Sequence, residues 1–318
     1  GMKYAVITTK HHDGFCLWPS SYTEHSVKNS PYKNGKGDVV AELAASCDKY
    51  GLKLGIYLSP WDRNHKDYGS EIYIEYYRNQ LKELLEKYPD VFEVWFDGAN
   101  GGDGYYGGAR ETRRIDNRTY YDWPTTTGLV RHLAPEALMF SDAGPDIRWC
   151  GNERGFVGET NWNMITPDTL YPGKHSITEL LNTGSENGTH WIPAEVDVSI
   201  RPGWFYHPEE DEKVKSPQEL FDIYLSSVGR GSNLLLNIPP DQRGLIHEND
   251  VNSLMEWKKM IDETFSNNLA AIADITANST RANSSKFSIR NTKNDDLSSY
   301  WATDDHITTA NIEIDFGK

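Results

Sequence analysis

The sequence predicts an α/β fold: a (β/α)8-like TIM barrel missing its first strand, followed by an incomplete all-β module. Three observations predict it. Short β-branched runs alternate with amphipathic helical stretches through the first 268 residues. The runs are apolar on both faces, as a parallel sheet covered by helices requires. Polar and aromatic residues repeatedly follow the run ends, which suits a closed or nearly closed barrel better than an open nucleotide-binding sheet. No GxGxxG follows the first run, which counts against a dinucleotide-binding domain.

Residues 4–9 (YAVITT) form the first predicted strand, entered without a preceding helix or turn, so the chain is expected to open in mid-architecture. Residues 39–50 show helical spacing, with Val40, Leu43, Ala44 and Cys47 on one face, Asp38 as N-cap and Gly51 as the stop. A strand over 52–59 (LKLGIYLS), a long amphipathic helix over 70–88 and a strand over 91–96 (VFEVWF) continue the alternation. The pattern then predicts a helix over 123–133, strands over 138–141 and 192–198, a helix over 217–228, a strand over 234–238 (LLLNI) and a helix over 250–265. From about Ala270 the texture changes to short polar and β-prone pieces, and Ile312 and Ile314 alternate with Glu313 and Asp315 as in a half-buried strand. Residues 1–268 are therefore expected to form the barrel. Residues 269–318 are expected to be a linker and the start of a β-sandwich, a fold that needs about 100 residues.

Composition narrows the partners. Lys and Arg number 32 against 47 Asp and Glu, a net charge of −15 that repels phosphate and anionic lipid, so neither nucleic acid nor membrane is expected. No apolar run reaches the roughly 18 residues of a membrane span, and the N-terminus lacks the basic and then apolar segments of a secretory signal. Cys16, Cys47 and Cys150 are too widely spaced for a disulfide framework or a thiolate metal site. Ten Trp and eighteen Tyr suit sugar platforms and core filling equally well.

Asp97 directly follows the run VFEVWF, where catalytic groups of barrels gather, although an Asp there also serves as a helix cap. Glu153 lies in GPDIRWCGNERG, surrounded in sequence by Arg148, Trp149 and Asn152, a setting that suits either a protonated general acid or a salt-bridged structural Glu. Two carboxylates at neighbouring strand ends are the apparatus of glycoside hydrolysis. His11 and His12 (TTKHHDGFCLW) can reach one pocket only if the strand ends before them, and could then bind sugar hydroxyls. A metal would need further convergent ligands, and the spacing around Asp13 offers none. Tyr57 and Trp61 (GIYLSPWDR) and Trp95 supply rings near the same face, while Arg201 and Trp204 (VDVSIRPGWFYH) follow another strand. A fixed guanidinium there could hold a hydroxyl or orient a carboxylate.

Five ordered motifs, KYAVITTKHHDGFCLW, GIYLSPWDR, VWFDGAN, GPDIRWCGNERG and NLLLNIPPDQRG, resemble the α-L-fucosidases of glycoside hydrolase family 29 over roughly residues 2–265. The resemblance implies an often irregular barrel that hydrolyses terminal α-L-fucose with retention and without metal or cofactor. Asp97 matches the family's nucleophile. Glu153 matches the acid/base of the branch selective for α-1,3 and α-1,4 linkages, with Glu159 (GETNW) its main competitor. His11, His12, Tyr57, Trp95, Arg201 and Trp204 match fucose-contacting positions. The substrate implied is a fucosylated oligosaccharide of the Lewis type, and family habit implies a periplasmic or extracellular location. The family's HWG-like motif would precede Met2, so an absent strand, an open seam and weakened activity are expected. The tail resembles the opening of a discoidin-like carbohydrate-binding module. Two rival readings remain: a non-catalytic protein that only holds fucosylated glycans, and a barrel glycosidase acting on galactose or xylose.

Overall fold

β-Branched, doubly apolar runs pair in parallel because each can bury both faces under helices. In chain order the strands are β1 (Tyr4–Lys10), β2 (Lys53–Leu58), β3 (Val91–Trp95), β4 (Leu138–Ser141), β5 (Ile147–Trp149), β6 (Ala194–Ser199) and β7 (Asn233–Asn237). Each pairs with the next in one seven-stranded sheet. The computed structural model describes residues 1–88, 90–98, 103–174 and 176–317; Ala99 and Asn100 of the VWFDGAN motif lie outside them.

The sheet curls into a half-barrel. The Tyr4 hydroxyl on β1 donates to Glu195 Oε2 on β6 at 2.7 Å, and Asn233 on β7 donates both to Tyr4 and to Glu195. The first strand therefore faces the sixth and seventh across the inside of the curl. Glu93 on β3 is buried there beside Glu195, and burial followed by the Glu195 charge pushes its carboxyl up to about 9.

Helices are set by their ends. Asp38 Oδ1 accepts the Ala41 N–H at 2.9 Å to start α1 (Val39–Tyr50), and Gly51 stops it at φ +67°, a conformation that costs a glycine little. Tyr73, Ile74, Tyr77, Leu81 and Leu84 line the buried face of α2 (Glu71–Lys87). The helices α3 (Trp123–Leu133), α4 (Thr178–Thr183) and α5 (Pro217–Ser227) follow, the last opened by a Ser216–Glu219 capping box with Pro217 in its first turn.

The structure departs from the sequence-based expectation in one place that matters. The segment after β4 is not simply a loop, because residues 147–149 return as β5, with Phe140 opposite Ile147 and Ser141 opposite Arg148. Only residues 142–146 separate the two strands, so no helix intervenes and the regular β/α rhythm breaks. The signal is weak because β5 is three residues long and carries an arginine. Arg148 is fully buried, and its guanidinium donates to the carbonyls of Leu181, Ile192 and Trp162 and to Asn161 Oδ1. Burial lowers its pKa to about 10.

The chain divides into two units, Gly1–Leu254 and Met255–Lys318, within α6 (Glu248–Thr264). The second unit contains the short helix α7 (Leu269–Ile272) and an antiparallel pair, Asp274–Ala277 with Ile312–Asp315. Ile312 and Ile314 are 44% and 43% exposed, and Glu313 and Asp315 are exposed as well, so the alternation does not bury one face of this two-stranded ribbon.

Candidate active site

The carboxyl ends of the strands gather the candidate residues. β1 ends at Lys10, so His11 and His12 leave the alternation of the strand and lie on one side, ring centroids 4.0 Å apart. Asp97 follows β3, and its Oδ2 accepts the Tyr57 hydroxyl at 2.6 Å and lies 3.6 Å from His12 Nε2. Register places Tyr57 opposite Trp95 and Trp95 opposite Phe140. The rings stack accordingly, His11 on Tyr57 at 5.8 Å, Tyr57 on Trp95 at 5.3 Å and Trp95 on Phe140 at 4.0 Å, a ladder across four strand ends.

Hydrogen counting fixes the His12 tautomer. Ser59 has one hydroxyl hydrogen and gives it to the Trp61 carbonyl at 2.7 Å. In the 2.7 Å contact between Ser59 Oγ and His12 Nδ1 the imidazole is therefore the donor, which leaves a lone pair on Nε2 towards Asp97. Burial pulls His12 down to about 4 against the opposing pull of Asp97, and lowers His11 as well, so both rings are neutral at neutral pH.

Glu153 lies beyond β5 and is exposed, and its Oε2 accepts the Trp204 indole N–H at 3.1 Å. The neighbours expected from sequence point elsewhere: Arg148 to its buried carbonyls, Asn152 Nδ2 to the Phe156 carbonyl at 3.0 Å and Trp149 Nε1 to Asp197 Oδ1 at 2.7 Å. Next to Trp204, Phe205 sets its ring edge-on to His11 at 5.1 Å. One loop thus touches both Glu153 and the histidine pair beside Asp97. Glu159 is exposed on the following turn.

Arg201 is placed differently from the sequence-based expectation of a sugar contact. It is 1% exposed, with Nε and Nη2 on Asp250 at 3.0 and 2.6 Å and Nη1 on Asp211 at 2.9 Å. Its guanidinium is spent on two carboxylates, and it acts by anchoring the loop that carries Trp204 and Phe205. Trp95 likewise turns its indole N–H inward, to Glu195 Oε1 at 2.9 Å.

Several residues emerge only in three dimensions. Asp142, after β4, accepts the Gly173 N–H at 2.7 Å, and burial, with Asp97 adding to it, pushes its carboxyl up to about 6. Burial pushes Asp197 well above the usual carboxylate range, and the nearby Glu153 charge adds to this. An opening of about 800 Å³ is lined by His11, His12, Trp61, Arg63 and Phe205, with Gly107 and Gly108 from the hairpin Gly104–Tyr106/Glu111–Arg113 at its rim. A monosaccharide fits this volume. The His–Tyr–Asp cluster, the second carboxylate and the rings suit acid–base chemistry on a hydroxylated ligand.

A family model described as Alpha-L-fucosidase matches residues 1–263. Alpha-L-fucosidase 1 of Arabidopsis thaliana is 45% identical over 308 residues, covering 96% of this chain and 58% of that protein. Among solved structures, a glycoside hydrolase 29 family member from an unknown rumen bacterium aligns with a TM-score of 0.82 at 55% identity, over 86% of this chain and 49% of that one. A Ruminococcus gnavus GH29 fucosidase, solved in complex with fucose, aligns at 0.82 and 32% identity, over 99% and 66%. The chain spans about half to two thirds of the length of these proteins.

Proposed function

The chain belongs to the α-L-fucosidase family, and from that premise we propose that it removes terminal α-L-fucose from glycans as a retaining exo-hydrolase acting on α-1,3 and α-1,4 linkages. One observation supports the reading: the loop whose Trp204 donates to Glu153 also sets Phe205 edge-on against His11, whose neighbour His12 stands 3.6 Å from Asp97. Asp97, held by the Tyr57 hydroxyl, attacks C1 of fucose while Glu153 protonates the departing glycosidic oxygen. The C1–oxygen bond to the aglycone breaks and a glycosyl ester forms on Asp97. Glu153 then takes a proton from water, the water oxygen attacks C1, and the ester bond breaks to free Asp97. Two inversions give retention, for which the carboxyl groups of a ligand-bound site stand about 5–5.5 Å apart. Neutral His11 and His12 accept hydroxyl hydrogens of the sugar, Tyr57 and Trp95 build the floor, Trp204 stands against the acid, and Arg201 fixes the loop.

Residues 269–318 serve in this reading as linker and opening of a discoidin-like carbohydrate-binding module, supported by the YWA turn, whose Trp301 N–H donates to the Ser279 carbonyl at 2.9 Å, and by the antiparallel ribbon. A periplasmic or extracellular location suits a glycan scavenger. The acidic surface speaks against nucleic acid, and no described helix is long and apolar enough to cross a membrane.

The test is hydrolysis of an aryl α-L-fucoside and of a Lewis-type trisaccharide, with the anomer of the first-formed fucose read by NMR. Asp97→Gly should abolish turnover of both, and near-normal turnover would reject the nucleophile. Glu153→Gln should lose more on the trisaccharide than on the aryl fucoside, whose leaving group needs little protonation. If the unaltered protein binds the trisaccharide and releases no fucose, the reading gives way to a glycan-binding protein.

A further inference from the structure

We propose that His11, His12 and Asp97 bind one divalent transition-metal ion, and that this ion and the sugar exclude one another. The first observation is convergence. One nitrogen of each imidazole and one Asp97 oxygen all lie within 4.8 Å of one another, although they come from the ends of two different strands.

The second is the hydrogen count. His12 Nδ1 donates to Ser59, so Nε2 presents a lone pair to a carboxylate oxygen 3.6 Å away. Asp97 Oδ2 already accepts the Tyr57 hydrogen, and a second lone pair on it and the one on Nε2 are both of the kind that a hydroxyl hydrogen or a cation can take. A sugar hydroxyl answers them one at a time, whereas a metal ion answers all three ligands at once.

The third is what stands behind the ligands. Ser59 holds the His12 ring through its other nitrogen, and the Tyr57 hydroxyl holds Asp97 Oδ2, the outer contacts that orient metal ligands elsewhere. The opening of about 800 Å³ in front leaves room for water on the remaining coordination positions. Two imidazoles and one carboxylate select zinc, cobalt, nickel or copper over magnesium or calcium, which prefer all-oxygen sites. Metal–ligand bonds of about 2.0–2.1 Å put tetrahedral ligands roughly 3.3 Å apart. The His12–Asp97 pair is already near that spacing, and the widest separation has to close by at most about 1.5 Å through rotation of half-buried side chains.

Mutual exclusion rests on the proposed sugar position, while metal binding does not. The experiment therefore reads the two separately. Zinc is titrated into the whole chain by calorimetry, and cobalt by visible absorption, with and without L-fucose, for the unaltered protein and for His12→Ala, Asp97→Asn and Ser59→Ala. One ion per chain is expected, bound at least about tenfold more weakly by each variant, the range found for outer contacts as well. Ser59→Ala removes no ligand, so it keeps the test valid should a ligand variant misfold. Absence of stoichiometric binding, or unchanged affinity in folded His12→Ala and Asp97→Asn proteins, would overturn the metal site. An ion that needs His12 and Asp97 yet is indifferent to saturating fucose would uphold the metal site and refute mutual exclusion together with the proposed sugar position.

Discussion

Replacing Glu93 by Gln keeps the shape of the side chain and removes its titration. Glu93 is fully buried, and neither carboxyl oxygen has a hydrogen-bond partner among the described residues. The oxygens of Glu195, by contrast, accept from Tyr4, Trp95 and Asn233. The proton that two neighbouring buried acids retain therefore sits on Glu93. The folded chain holds this proton where the unfolded chain has released it, so the contribution to stability is complete below the ordinary value of 4.5 and is lost as pH rises towards about 9. One proton costs about 1.4 kcal/mol per pH unit, so about 2.7 kcal/mol should go between roughly pH 6 and pH 8. Urea unfolding of the two proteins at these pH values measures it. The unaltered chain should lose about that much more stability than Glu93→Gln, and parallel losses would refute the placement of the proton.

Three further outcomes are expected. Arg201→Ala should lower stability by about 3–5 kcal/mol, because Asp250 would keep a fully buried charge without its cation, and should lower activity as Trp204 and Phe205 loosen; thermal unfolding and aryl fucoside turnover measure both. Gly108→Ala would put a Cβ 2.1 Å from the Asn64 carbonyl oxygen, so the rim should shift, with a cost of about 1–3 kcal/mol and a raised KM. An unchanged KM would separate the rim from binding. Ser59→Ala removes the acceptor of His12 Nδ1, worth about 0.5–1.5 kcal/mol, and should raise KM by up to about tenfold with a smaller effect on kcat.

The strand and helix rhythm was legible because apolar period and caps are local. Asp38, Gly51 and Ser216 mark helix ends within a few residues of themselves. The strand-end positions of Asp97 and the His pair were legible too, since they follow strong strands directly. What escaped depends on partners far along the chain. Arg201 finds Asp250 49 residues later, so its burial is invisible in VDVSIRPGW. The third group beside the histidines is Asp97, brought in from β3, which no spacing around Asp13 could announce. Ser59 gains meaning only once its single hydrogen is counted. β5 hides because an arginine in its middle breaks the apolar pattern, and because five residues were too few to suggest a return to the sheet.

Arg148 has a consequence for how this protein tolerates change. Its guanidinium gathers oxygens from residues 161, 162, 181 and 192, beside the small core that Ile165, Leu181 and Ile192 form. A lysine would bring a single ammonium to acceptors spread around a flat fork, and a neutral residue would strand them all. Between the fifth and sixth strands, the chain is thus pinned at residues 161, 162, 181 and 192 to one buried cation, and changes in length there have to keep those four oxygens converging on it.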